Sequence, residues 1–228
     1  MKIHGLQKMT LLDYPSKVAA TVFLGSCDFR CPFCHNFELV DGTAAPIMDD
    51  AELFSFLDKR KGLLDGVVIT GGEPCLNSSL KDLIIRIKDM GYLVKLDTNG
   101  NHPDVLKDLL SENLVDYIAM DVKNSPEKYS DTCGVKIDTE IISESINLIM
   151  NSGVDYEFRT TAIKEFHTAE DFAKIGEWIC GAKAYYIQQF TERDTVPDKS
   201  LSSPSAEDME AYRQAAERYI KNVILRGL

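Results

Sequence analysis

The sequence predicts an α/β fold built on parallel strands. Two observations carry that reading. Short β-rich apolar runs alternate with longer segments of helical periodicity six times along the chain, the pattern of strand–helix–strand units with right-handed crossovers. The chemically unusual residues also gather at or just past the C-terminal ends of the predicted strands, the edge where parallel α/β folds build their sites. Periodicity alone leaves an open doubly wound sheet and a curved, barrel-like sheet equally available.

The elements follow in order. Residues 18–24 form a β-rich run, followed by a cysteine loop and a helix over 49–61. Residues 66–70 read as a buried strand ending at Gly71-Gly72, and residues 79–90 repeat Leu and Ile at helical intervals until Gly91 stops them. The strand over 92–97 runs into Thr98-Asn99-Gly100, and Pro103 opens a helix reaching residue 112. Strands over 115–122, 154–162 and 184–190 alternate with helices over 139–151, 169–179 and 205–222. The Leu83, Ile84, Ile87 and Met90 stripe is core. No linker interrupts the 228 residues, so one domain over 1–228 is expected.

Composition narrows the classes. Acidic residues outnumber basic ones by 36 to 25, for a formal charge of -11, with no Lys/Arg block. Nucleic acid is therefore not expected as a ligand. No stretch approaches the roughly 18 uninterrupted apolar residues of a membrane span, and residues 1–5 resemble no export signal, so no membrane is expected and the cytoplasm is the expected compartment.

Six cysteines could make three disulfides, but three of them crowd into Cys27-Asp28-Phe29-Arg30-Cys31-Pro32-Phe33-Cys34, directly after a strand. Such soft ligands select iron–sulfur clusters, zinc or copper. A structural zinc site needs a fourth protein ligand, whereas three thiolates suit a 4Fe-4S cluster with one iron left open. His35 is the candidate fourth zinc ligand, awkwardly placed beside Cys34, and zinc stays open as the alternative.

Cys-x-x-x-Cys-x-aromatic-Cys, with Phe33 as the aromatic, resembles the signature of the radical S-adenosylmethionine (SAM) superfamily, and Gly71-Gly72-Glu73-Pro74 strengthens the match. Leu11-Leu12-Asp13-Tyr14-Pro15, Cys34-His35-Asn36, Asp97-Thr98-Asn99-Gly100 and Asp121-Val122-Lys123 are similar to glycyl-radical-enzyme activases, and most of all to the short forms that act on anaerobic ribonucleoside-triphosphate reductase. Ser16 and Cys75 depart from the residues common in that family, Gly and Leu.

The resemblance implies a partial (βα)6 TIM-like barrel forming a single radical SAM domain. It implies a 4Fe-4S cluster on the catalytic cysteines Cys27, Cys31 and Cys34, with SAM chelated to the open iron. Residues 35–70 contain no cysteine, so one cluster is expected. Gly71, Gly72 and Glu73 would meet the methionine ammonium, and the backbone around Phe33 the adenine, with His35 beside it. Lys123 and Asn99 would reach the ribose or carboxylate side. Asp97, Thr98 and Asp121, with a carbonyl near Ala119, would offer oxygens to a monovalent cation; capping of strand-to-helix turns is the ordinary alternative for these residues. The implied partners are a glycyl radical enzyme, anaerobic ribonucleotide reductase first and a pyruvate formate-lyase type second, and flavodoxin or ferredoxin as electron donor. A small-molecule substrate is the remaining alternative.

Arg159 could pair with a SAM carboxylate or close a structural ion pair. Gln189 and Phe190 could border the adenine or simply pack. Cys75, Cys133 and Cys180 read as small buried hydrophobes, and His4, His102 and His167 as surface residues.

Overall fold

The computed structural model describes residues 1–228. The chain forms two compact units, one of residues 1–28, 36–98 and 104–118, the other of residues 29–35, 99–103 and 119–228. The first carries β1 (Lys2–Ile3), β2 (Gly5–Thr10), β3 (Ala19–Leu24), α1 (Phe37–Asp41), β4 (Met48–Asp49), α2 (Asp50–Asp58), β5 (Gly66–Gly71), α3 (Leu80–Asp89), β6 (Leu93–Thr98) and α4 (Pro103–Ser111). β7 (Tyr117–Asp121) begins in it and ends in the second unit, which continues with α5 (Tyr129–Cys133), α6 (Thr139–Asn151), β8 (Asp155–Ala162), α7 (Ala169–Trp178), β9 (Tyr185–Gln189), α8 (Ala206–Ala216) and β10 (Val223–Arg226).

The strand order is β10-β9-β8-β7-β6-β5-β3-β2, a mostly parallel central sheet. β3 and β5 run parallel from Ala19↔Gly66 to Leu24↔Gly71, so the two strands end side by side. β5 and β6 are parallel, as are β8 with β9 and β9 with β10, while β2 lies antiparallel to β3. Val67, Val68 and Ile69 of β5 are wholly buried. A strand covered on both faces needs a continuous apolar run rather than alternation, and β-branched residues supply it.

The helices start on side-chain caps. Asp49 with Glu52, Thr168 with Asp171 and Ser205 with Asp208 form capping boxes at α2, α7 and α8, each satisfying amide groups that no helical carbonyl can reach. α3 buries Leu80, Leu83, Ile84 and Ile87 along one stripe, and Met90 is half-buried at its end.

All six expected strands and helices are present. The sequence reading missed β1, β2, β4 and β10, and the last helix stops at Ala216 rather than residue 222. β2 exposes Gln7-Lys8-Met9, leaving no apolar run to read. β10 is four residues long and pairs with β9, a partner that periodicity does not reveal. Cys180 is exposed, not buried; its thiol reaches the Tyr219 carbonyl at 3.6 Å. No helix is long and apolar enough to cross a membrane.

Candidate functional site

In the first unit the loop after β5 is bonded to the loop after β3. Gly72 N–H donates to the Leu24 carbonyl at 2.9 Å and Glu73 N–H to the Ser26 carbonyl at 2.8 Å. The contact leaves no room for side chains: a Cβ on Gly71 would stand 2.4 Å from the Leu24 oxygen, and one on Gly72 1.9 Å from the Ser26 oxygen. Gly71 also takes a φ of 118°, which only glycine adopts readily. The two glycines thus serve the backbone that leads into Cys27.

Glu73 follows, 1% exposed. Its Oε1 accepts from Cys75 N–H at 3.0 Å and from the Thr98 hydroxyl at 2.9 Å. Burial, with Glu73 adding to it, pushes the Cys75 thiol well above its ordinary range, so it stays protonated. Two residues before Asp97 on β6, Lys95 is 2% exposed and forms an ion pair with it. The sequence reading passed over Lys95. Its signal is a lysine inside the apolar run of β6, on the same strand face as Asp97 two residues later.

In the second unit the cysteine loop turns back on itself through Cys34 N–H to the Cys31 carbonyl at 3.1 Å. Cys31 is buried and Cys34 half-buried. The loop after β9 fastens to it: the Asp198 amide donates to the Pro32 carbonyl at 3.1 Å. His35 stacks on Phe190, centroids 5.6 Å apart and rings 3° from parallel, while its Nε2 donates to the Thr191 carbonyl at 2.7 Å. That ring holds a loop. Phe33 is buried, with Phe166 6.2 Å away, and the Gln189 amide donates to the Pro204 carbonyl at 2.8 Å.

At the end of β7, Asp121 lies between two cations. Lys123 Nζ donates to its Oδ2 at 3.0 Å and Arg159 Nε to its Oδ1 at 2.9 Å. Burial would raise this carboxyl's pKa, but Arg159 and Lys123 outweigh it and hold the value at about 2. The same pairing, with the nearby Cys31 sulfur, raises Lys123 above the ordinary lysine value against its own burial. Arg159 is thus ion-paired with Asp121. Asn99 Oδ1 accepts from Asn101 N–H at 2.9 Å, shaping the turn after β6.

His167 corrects the expectation of a surface residue: it is 2% exposed. Ile163 N–H donates to its Nδ1 at 3.1 Å and its Nε2 lies 2.9 Å from the Lys123 carbonyl. Burial lowers its pKa, so the neutral ring donates from Nε2 and anchors the backbone of Lys123. One unpaired His in a predicted loop gave no sign of this, because the partner carbonyl lies 44 residues away.

The radical SAM superfamily model matches residues 21–179. A Methanocaldococcus jannaschii protein named for glycyl-radical enzyme activation is 34% identical over 236 residues, which takes in 99% of this chain and 96% of that one. The pyruvate formate-lyase-activating enzyme of Clostridium pasteurianum is 29% identical over 132 residues, 54% of this chain and 52% of its own. Among solved structures, a domain of the pyruvate-formate lyase-activating enzyme from Bacteroides vulgatus aligns with a TM-score of 0.58 at 18% identity, covering 71% of this chain and 99% of that one. At that identity the likeness carries the fold alone, the partial barrel of the radical SAM enzymes.

Two outcomes follow from this geometry. Gly72→Ala must displace the Ser26 backbone and lowers stability by about 1–3 kcal/mol or more, read as a fall in urea midpoint at unchanged slope. Asp121 has its folded pKa depressed from 3.8 to about 2. Its contribution is therefore fully present above about pH 4 and is lost as pH falls toward 2. Asp121→Asn removes that part of the acid dependence, and acid unfolding of the variant, followed by circular dichroism, is correspondingly flatter across that window.

Proposed function

The chain belongs to the radical SAM superfamily and, within it, to the glycyl-radical enzyme activating enzymes, and we propose that it installs a glycyl radical on anaerobic ribonucleoside-triphosphate reductase. Membership implies SAM and a 4Fe-4S cluster. The residues fit that pair: three thiols, none in a disulfide, on one eight-residue loop, at a spacing that leaves one iron of a cluster without a protein ligand. The loop is the observation that carries the reading. A relative matched along nearly its whole length supports it.

A bound, reduced cluster would supply the electron for reductive cleavage of SAM, the radical chemistry needed to remove a hydrogen atom from a glycine Cα of the partner. The chain's own residues hold and shield. Cys27, Cys31 and Cys34 would hold the cluster. Glu73 receives the methionine ammonium, its carboxylate held in place by the Cys75 amide and the Thr98 hydroxyl. Lys123, Asn99 and Arg159 serve the ribose and carboxylate side, with Asp121 setting the direction of Lys123 and Arg159. The Phe33 backbone, His35, Phe190 and Gln189 border the adenine. Buried Phe29, Phe33 and Phe190 keep water away.

In this reading the chain is one radical SAM domain with one cluster, working in the cytoplasm and reduced by flavodoxin or ferredoxin. A monovalent cation at Asp97, Thr98 and Asp121 would compete with Lys95 for the first carboxylate and with Lys123 and Arg159 for the last. A second partner class is favoured by the Clostridium pasteurianum match, namely an enzyme of the pyruvate formate-lyase type.

Electron paramagnetic resonance of the anaerobically reconstituted, reduced protein with SAM and the host's anaerobic ribonucleotide reductase tests the proposal. The expected result is a glycyl-radical doublet on the reductase, absent with Cys31→Ala. A doublet only on a pyruvate formate-lyase type enzyme transfers the assignment to the second partner. SAM cleavage with no doublet on either contradicts the activase reading and points to a small substrate.

A further inference from the structure

The roles above leave Lys95 unused. It sits inside β6, opposite Val68 of β5 in the parallel register, and is 2% exposed. Its neighbours Val94 and Leu96, on the other face of the strand, are wholly buried. Val68 packs with Tyr14 and Ala19, and Leu93 and Tyr117 pack against that cluster. The Lys95 ammonium stands 5.8 Å from the centre of the Tyr117 ring. An ammonium taken this far from water needs a counter-charge, and Asp97, two residues on and on the same strand face, supplies it.

The resemblance to the activases implies a monovalent cation on Asp97, Thr98 and Asp121. The donor set does not fit one. The Asp97 carboxylate already accepts from the Lys95 ammonium. The Thr98 hydroxyl gives its one proton to Glu73 at 2.9 Å, so the protonated Cys75 thiol, 3.7 Å away, is the donor to its oxygen. In the second unit both oxygens of Asp121 are engaged, one by Lys123 and one by Arg159. A hard cation is held by several oxygens with lone pairs turned toward it, and at Asp97 it would also meet a like charge.

Building on the radical SAM reading, we propose that Lys95 is a positioning residue that serves as the resident cation of this strand end: its ammonium, tethered to β6, does for Asp97 what a bound monovalent ion would otherwise do, so that SAM binding needs no alkali ion. Either cation brings one positive charge. The lysine brings it with the fold, and no salt is needed to supply it. Asp97 leads directly into Thr98, whose hydroxyl holds the Glu73 carboxylate, the group assigned to the methionine ammonium. Lys95 acts through Asp97 on the set of that carboxylate and touches no reacting atom.

The test is isothermal titration of SAM into the anaerobic, reconstituted holoprotein in choline chloride, then with potassium, sodium or ammonium replacing choline at constant ionic strength. The wild type, Lys95→Met and the double variant Lys95→Met with Asp97→Asn are compared, with iron and sulfide measured in each. Wild-type affinity should be the same in every salt. Lys95→Met, which keeps an unbranched stem and removes the charge, should bind SAM several-fold more weakly in choline and recover most of that loss in potassium or ammonium. The double variant, with neither charge, should not respond to the salt. A several-fold gain in wild-type affinity on adding potassium overturns the proposal. So does a loss in Lys95→Met that no small cation recovers, since packing alone would then account for it. A double variant that responds to potassium as Lys95→Met does overturns it as well, because the ion would then not act at Asp97.

Where Lys95→Met fails to fold, crystals of the wild-type holoprotein grown in rubidium chloride decide. No anomalous rubidium peak is expected beside the Asp97 carboxylate, and a peak there overturns the proposal. A holoprotein with a full complement of iron and sulfide that binds no SAM in any salt contradicts the proposed function instead, and the rubidium experiment still tells whether Lys95 is the cation at Asp97.

Discussion

Two backbone hydrogen bonds at the ends of β3 and β5 organise the first unit. The amides of Gly72 and Glu73 reach the carbonyls of Leu24 and Ser26 only because neither Gly71 nor Gly72 has a Cβ. In-register parallel pairing brings the two strands to the same level, and the glycines convert that level into contact. Ser26 is held in the left-handed region, at a φ of 74°, immediately before Cys27. The start of the cysteine loop, the buried Glu73 carboxylate and the protonated Cys75 thiol all depend on this junction.

Charge is handled consistently where the strands end. Buried Lys95 pairs with Asp97, and Asp121 with both Lys123 and Arg159. An unpaired ion at such sites would cost several kcal/mol in lost hydration, so each charge arrives with its opposite on the same strand or an adjacent segment. Pairing also sets direction. Asp121 uses one oxygen for each partner, and His167 holds the Lys123 backbone through its carbonyl. The fold delivers Lys123 in one orientation.

Features that depend on neighbours in the chain were legible before the structure. The buried strand over Gly66–Gly71, the α3 stripe and the cysteine spacing are local patterns, and the resemblance they carry led to the family. Features that depend on distant partners were not. β10 exists because β9 offers it an edge. His167 finds the Lys123 carbonyl 44 residues away, so a histidine in a loop carried no sign of it. Lys95 lay between: its alternation with Asp97 was visible, but the apolar run around it drew the eye to the strand. The motif glycines stood out in the sequence, but not the backbone of Leu24 and Ser26 that they approach.

The claim on which the account rests is that the loop Cys27–Cys34 holds a cluster that cleaves SAM reductively. Its most direct test is anaerobic incubation of the reconstituted, dithionite-reduced protein with SAM, followed by chromatographic quantification of the products. The account predicts 5'-deoxyadenosine and methionine in equal amounts, dependent on the reductant and on all three cysteines. A protein with a full complement of iron and sulfide that leaves SAM intact, or that yields S-adenosylhomocysteine as its sole product, would contradict it.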